Sequence, residues 1–409
     1  MIIKSIMEGS IKFESIKKVA DVGFKIKDFS KISRVDSISP PSVFIGSKLK
    51  YPLVNVGILS PLNKDENSWL YDDAKYWADN NLNIEEVMSL RNGLLNSRFQ
   101  AKVSDIRLNK KFVEVAKDVA ISSRQVDVEI ELKNRLIVGR EKDKILTPHG
   151  MRAGLKNVEI TGNVKIDKKV DKVINDEIKA SDAIEYLYKN EFNEYTLSKI
   201  LSVGVMGLKK NKKLVPTRWS ITATDDMLGK QFLKNVRNYP WIDDYQLFYG
   251  EFMGNQYILL MFPSVWSYEL FEMYLPHSSW NPGQEIKAST DIEGYHGRKE
   301  YAFDTAGGYY ASRFAVLEYL NSIKRQASVI ALRVETPSYW AALGVWVVRE
   351  SVKKALRRSM RFTSREELVE SVKKIGKIKY NFDFSEILNK SKLLREKKEQ
   401  KSLNEFVKI

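Results

Sequence analysis

The chain contains no cysteine. Disulfide bridges, thiolate nucleophiles and cysteine zinc fingers are therefore excluded. Histidine is nearly as scarce, with three in 409 residues, so a metal site has to be built from carboxylates with at most those three imidazoles. No apolar run approaches the roughly 18 uninterrupted residues of a membrane-spanning helix. The opening stretch MIIKSIMEGSIKFES is broken by acidic and polar residues where a secretory leader is continuously apolar. A cytoplasmic protein with no membrane partner is the expectation. Internal repeats and low-complexity segments are also missing.

What is present is a globular composition, 43% hydrophobic and 11% aromatic, long enough for one large domain or two ordinary ones. The formal net charge is +15, and it is unevenly spread. From Arg349 to Lys401 there are 17 Lys plus Arg against 8 Asp plus Glu. A localised surplus suits a polyanionic partner, because neutralising phosphates releases their counterions. The bland alternative is a solvated lysine-rich surface.

Four segments are expected: an N-terminal arm over 1–38, two parts of a core over 39–210 and 211–385, and a basic tail over 386–409. In SISPPSVFIGSKLKYPLVNVGILSP the prolines Pro40, Pro41, Pro52 and Pro61 forbid a helix and favour extended pieces joined by turns. Asn83 with Glu86 makes a capping box before an apolar helical stripe. Val126, Val128, Ile130 and Leu132 alternate with polar residues, the period of a strand. Helices are expected from about Lys169 to Tyr188, the second capped by Ser181 or Asp182. YQLFYGEFMGNQYILLMF predicts a hairpin about Gly254-Asn255. A helix is entered through Gly307 and Gly308, SVIALRVE is a buried strand, and SYWAALGVWVVRESVKKALRRS predicts one long helix. The fold class is α+β, a large mixed sheet with packed helices and a flexible basic C-terminal tail.

Two stretches hold groups suited to catalysis. In KLVPTRWSITATDD, Pro216 enters an apparent strand, Arg218 and Trp219 offer a cation and a stacking surface, and Asp225-Asp226 closes it. Adjacent carboxylates bind a divalent ion such as Mg or Mn, or raise one another's pKa, while an arginine grips phosphate bidentately. The plainer reading makes Asp226 the cap of a helix starting at Met227. DIEGYHGRKEYAFD brings Asp291, Glu293, His296 and Asp304 close in sequence, a weak metal signal. In AGGYYASRF, Gly307 and Gly308 open a helix whose amides suit an anion, with Arg313 nearby, but no Walker lysine or dinucleotide fingerprint accompanies them. His149 and His277 are each isolated in turn-like surroundings, where histidine is usually structural.

In VVRESVKKALRRSMR, helical spacing puts Lys353, Arg357 and Arg361 on one stripe, with Lys354 and Arg358 beside it. Such a ridge suits a duplex backbone, giving affinity without sequence reading; a solvated face fits the pattern equally. The last ten residues, QKSLNEFVKI, place Gln400, Leu403, Phe406 and Val407 in the pattern Q-x-x-L-x-x-aromatic-apolar. A single 3₁₀ turn sets positions three apart on one side, so Leu403 and Phe406 can plug one hydrophobic pocket while Gln400 hydrogen-bonds beside it. This is the form of the peptide that binds the DNA sliding clamp, the PCNA-interacting box, with Val407 replacing its second aromatic. The alternative is a terminal helix packed on its own domain.

SPPSVFIGSKLKYPLVNVGILSP, LVPTRWSITATDD, AGGYYASRFAVLEYL, KRQASVIALRVETPSYWAALGVWVVRE and the terminal box, in this order, resemble the archaeal Nre DNA-repair family. The resemblance runs from about Ser39 to the C-terminus and implies a repair factor that acts with the sliding clamp on damaged DNA. It implies no particular reaction. Some members carry an N-terminal cysteine zinc finger, which a chain without cysteine cannot form, so the fingerless branch is indicated and zinc is not carried over. The expected function is DNA binding by the body with tethering to PCNA by the tail. The rivals are a metal-dependent phosphodiesterase or nucleotide-processing enzyme using Arg218, Asp225, Asp226, His296 and Arg313, and a non-catalytic clamp-bound adaptor.

Overall fold

A computed structural model describes residues 32–138 and 144–399. The chain divides into two compact units, one running to Leu228 and including Ala341–Trp346, the other made of Gly229–Trp340 and the chain from Val347 on. Each unit has its own mixed sheet and helices, so the α+β class holds with two sheets. Among the described residues no helix is long and apolar enough to cross a membrane.

The first unit's strands are β1 (Arg34–Ser39), β2 (Val43–Gly46), β3 (Leu53–Pro61), β4 (Leu94–Lys102), β5 (Val126–Leu132), β6 (Ile137–Val138) and β7 (Met151–Gly162). They are ordered β1-β5-β7-β4-β3-β2, with β6 pairing β7. Only β4 and β7 run parallel. Proline punctuation cuts the segment from Ser37 to Pro61 into extended pieces, as expected. In β5, Val126, Val128, Ile130 and Leu132 are buried and the residues between them are not. The capping box forms, Asn83 accepting from the Glu86 amide at 3.0 Å and Glu86 accepting from the Asn83 amide at 2.7 Å. Residues 168–189 hold two helices, Lys168–Asn175 and Ala180–Lys189; the residue at the second cap is Lys179, not Ser181 or Asp182.

One expectation here is overturned. Pro216 does not enter a strand: it precedes the 20-residue helix Thr217–Val236, and Asp225 and Asp226 lie in that helix rather than capping one at Met227. Proline's missing N–H and fixed φ are harmless at a helix start. The β-branched Thr217, Ile221, Thr222 and Thr224 imitate strand composition, but their propensity is outweighed by packing: Ser220, Thr224, Asp225 and Leu228 are buried.

The second unit's strands are β8 (Tyr245–Phe252), β9 (Asn255–Phe262), β10 (Ser267–Tyr274), β11 (Lys287–Glu293), β12 (Ser328–Glu335) and β13 (Ser359–Phe362). They are ordered β11-β10-β12-β9-β8-β13, with β10 and β12 parallel. The β8–β9 hairpin turns through Met253 (φ 51°) and Gly254 (φ 77°), and two successive positive φ values match the right-handed twist of the strands they join. The aromatic-rich run from Tyr245 to Tyr274 is largely core.

Strand β12 is buried along its whole length, yet its two faces differ. Ile330, Leu332 and Val334 join an apolar cluster with Leu368 and Val372 of helix Arg365–Tyr380, with Phe384, Ile387 and Leu388, and with Leu393 and Leu394 of helix Lys392–Glu399. Arg333 and Glu335 take the opposite face by the two-residue period. The expected long helix over residues 338–359 is also shortened, to Val345–Ala355. Gly344, at φ 96°, precedes it, and a Cβ there would stand 2.6 Å from the Ile145 carbonyl oxygen. Close backbone approach, not helix continuation, decides that segment.

Candidate functional site

On the polar face of the second unit's sheet, Arg333 is enclosed by three strands. Its guanidinium reaches Glu272 at 2.6 Å, Glu335 at 3.1 Å and the Asn255 amide oxygen at 2.9 and 2.6 Å. Glu272 also accepts from the Tyr274 hydroxyl at 2.7 Å, and Glu335 from the Trp280 amide at 3.3 Å. Burial disfavours the charge on Arg333, but Glu272 foremost keeps it ionised. A buried cation with two carboxylates and its donors satisfied is a fixed structural network.

The start of helix Gly308–Ser322 lies on this network. A Cβ on Gly308 would sit 2.1 Å from Glu272 Oε1, so the protein's own carboxylate occupies the position that an anion takes at a helix N-terminus. Arg313, 2% exposed, donates from Nε to Glu293 at 2.7 Å, and Trp266 Nε1 donates to the same oxygen at 2.9 Å. Asp291 accepts from the Thr305 amide and hydroxyl, each at 2.9 Å, and pairs with Arg298 at 2.9 Å. Asp291 and Glu293 belong to β11 rather than a loop, and His296 stands exposed against Tyr295. Of the catalytic candidates, Arg218, Asp225 and Asp226 belong to the first unit and His296 and Arg313 to the second. Among the described residues no three His, Asp or Glu side chains come together as a metal-ion site.

The basic ridge is not one helical stripe, because the helix ends at Ala355 and Arg361 lies in β13. Lys353 is 3.4 Å from Glu318 and 5.6 Å from the centre of the Phe314 ring, and Lys354 lies 3.7 Å above Phe252. Arg357 and Arg358 are exposed, as is Arg361, which is 3.4 Å from Asp244. The tail expected from residue 386 is folded onto the second unit as far as Glu399. The box residues Gln400, Leu403, Phe406 and Val407 lie outside the described residues.

A second polar cluster, in the first unit, was hidden in the sequence because its members come from three separate segments. Phe44 of β2, Asn96 and Arg98 of β4, His149 just before β7 and Arg152 within it meet there. The Asn96 amide is best satisfied with its oxygen accepting from His149 Nε2 at 2.9 Å and from Arg98 Nε and Nη2 at 3.2 and 3.3 Å. The Phe44 ring meets His149 edge-on at 5.2 Å and lies 5.8 Å beneath the Arg98 guanidinium. Behind them, Arg91 pairs with Asp72 and donates to the Pro148 carbonyl at 2.7 Å, and Lys199 reaches Asp72 at 2.8 Å. Burial, then Arg91, Arg98 and Arg152, push His149 down to about 3, with Asp72 as partial opposition. The imidazole is therefore neutral at pH 7. The signal in the sequence was slight: a lone histidine beside Gly150 and Arg152, in TPHGMR.

Residues 14–281 match a family model described as Archaeal Nre, N-terminal, and residues 293–406 match one described as Archaeal Nre, C-terminal. A DNA repair protein NreA of Haloferax volcanii is 38% identical over 326 residues, covering 78% of this chain and 77% of the relative. A protein of the same description from Archaeoglobus fulgidus is 38% identical over 333 residues, covering 81% and 82%. A DNA repair protein NreB of Archaeoglobus fulgidus is 35% identical over 372 residues, covering 90% and 91%. No solved structure gave a match.

Proposed function

The chain belongs to the archaeal Nre family, and on that premise we propose that it is a DNA-repair protein that binds DNA and is tethered to the PCNA sliding clamp by its C-terminal peptide. The observation that carries the repair role is the extent of likeness: 90% of the chain aligns with a relative described as a DNA repair protein. Clamp tethering is supported by the pattern Gln400, Leu403, Phe406, Val407 at the chain's end. Intramolecular-like rebinding lets even a weak peptide hold its owner near DNA, since tethering raises the effective concentration.

The position of that peptide strengthens the reading. The last described helix, Lys392–Glu399, is docked through buried Leu393 and Leu394, and Gln400 follows it directly. A clamp holding the box would therefore be held close to the second unit, where Arg357, Arg358 and Arg361 are exposed. These arginines supply phosphate contacts that position DNA without reading its sequence. Deleting Gln400–Ile409 from the full chain tests the tether. Loss of co-elution with the clamp, with unfolding unchanged, is the expected result; co-elution at undiminished affinity overturns it.

A further inference from the structure

We propose that Trp241, Val265 and Ile323 form a second contact surface, on the second unit, for the partner that receives the terminal box. This rests on the tether reading above and adds to it an apolar face offered by the body of the protein.

All three side chains are exposed, Trp241 by 51%, Val265 by 41% and Ile323 by 38%. They gather at one end of the second unit's sheet, around the buried Gln326. The backbone on either side of Trp241 is bonded to that residue. The Gln326 amide donates to the Pro240 carbonyl at 2.9 Å, and the Ile242 amide donates to the Gln326 carbonyl at 3.0 Å. The Gln326 side chain donates to the Tyr239 carbonyl at 2.5 Å and accepts at 3.2 Å from the amide of Trp266, the neighbour of Val265. The Ser328 hydroxyl donates to the Val265 carbonyl at 3.2 Å. Ile323 stands three residues before Gln326, directly after helix Gly308–Ser322. Tryptophan is highly buried on average. Here its backbone is bonded on both sides, so its exposure does not come from a frayed end. Apolar side chains held outward together on fixed backbone mark an interaction site.

What covers this face follows from where the chain leaves the body. Helix Lys392–Glu399 starts on Glu269 in β10 and runs back to the turn that precedes that strand. There the Lys397 ammonium bonds the Ser264 hydroxyl, and Arg365 donates to the Lys397 carbonyl at 3.2 Å. Ser264 is the residue next to Val265. Gln400 follows the helix, so Leu403 is four residues from its end, at most about 14 Å of chain. A partner that closes over Leu403 is therefore held against this end of the sheet.

Two linked contacts reinforce each other, because the second forms at the effective concentration that the first sets. The box has Val407 where a second aromatic is expected, and a tryptophan-centred contact beside it compensates for that loss. Tryptophan is among the residues most enriched where binding energy concentrates.

The experiment measures clamp affinity by calorimetry for three species: the full chain, a synthetic peptide of Gln400–Ile409, and the chain lacking those residues. The full chain should bind about tenfold or more tighter than the peptide. Trp241→Ser and Val265→Ser should each lose most of that advantage. Val265→Ser and Ile323→Ser serve if the tryptophan variant does not fold. Hydroxyl-radical labelling of the full chain should show Trp241 shielded when the clamp is added. Lengthening the tether by about twelve Gly-Ser residues after Glu399 should weaken wild type and leave Trp241→Ser unchanged.

Wild-type affinity in every patch variant, with Trp241 labelled as fast as before, overturns the surface and leaves the tether standing. Undiminished binding by the chain lacking Gln400–Ile409 overturns the tether, and this inference with it. Tighter clamp binding by the patch variants assigns the face to the chain's own terminal segment, and a dimer lost in Trp241→Ser assigns it to a second copy. Either result overturns the proposal.

Discussion

The carboxylate of Glu269, in the middle of β10, accepts from the Ser391 hydroxyl at 2.5 Å, although 122 residues separate them. Its two oxygens also accept from the Lys392 and Leu393 amides, each at 3.1 Å. The first turn of helix Lys392–Glu399 is thus capped twice, locally by Ser391, whose hydroxyl accepts from the Leu394 amide at 3.0 Å, and by a side chain from the sheet beneath it. A buried acid on the apolar face of the sheet is the fixing point for the segment that leads to the terminal box.

Glu269→Ala should therefore loosen the last helix. The loss of one buried charged acceptor for three donors is expected to cost about 1–3 kcal/mol or more. Hydrogen exchange should accelerate first at the Lys392 and Leu393 amides. Exchange there matching wild type would show that the leucines alone hold the helix.

Truncation separates anchoring from tethering. Removing the chain after Glu399 takes away none of the contacts named above, so chemical denaturation should give an unchanged midpoint. Removing it after Lys390 also strips Leu393 and Leu394 from the apolar cluster. Burying a leucine stabilises by about 1.5–3 kcal/mol, so a loss of several kcal/mol is expected.

Acidification should expose His149. Its folded-state value is about 3 against an ordinary 6.5, because burial and three guanidinium groups oppose its charge. Above pH 6.5 the ring is neutral in both states and its contribution to stability is fully present. As pH falls from 6.5 toward 3, the unfolded chain takes up a proton that the folded chain refuses. Stability should decline by up to about 1.4 kcal/mol per pH unit from this group. Denaturation at pH 7.5 and pH 5 in phosphate-free buffer should show this extra loss in wild type and not in His149→Gln.

Gly308→Ala should be disproportionately harmful for a single methyl. The new carbon would meet Glu272 Oε1, the oxygen that Arg333 also uses. Displacing that carboxylate breaks a buried pair, at a cost of about 3–5 kcal/mol. Combining Gly308→Ala with Glu272→Gln should cost clearly less than the two losses added. Strict additivity would mean that the methyl disturbs something other than this pair.

DNA affinity should depend steeply on salt. If Arg357 and Arg358 each contact a phosphate, replacing either by alanine should lower the slope of log affinity against log salt by about 0.9. Both are exposed, so folding should not change. A flat salt dependence in wild type would remove these residues from any DNA interface.

Local patterns in the sequence determined the elements whose cause is local. Alternation produced β5, successive turn residues produced the β8–β9 hairpin, and Asn83 with Glu86 produced a capped helix, because each signal spans only a few neighbouring residues. It failed at Pro216 and at Gly344, where β-branched composition and an unbroken apolar stripe were overruled by packing and by a close backbone approach. Which charges meet was decided only by tertiary structure. Glu269 with Ser391, Arg333 with Glu272, and Asn96 with His149 join residues 53 to 122 positions apart. Ion pairs and hydrogen bonds act over a few ångströms in space, and nothing in the order of residues records which strands the sheet will set side by side.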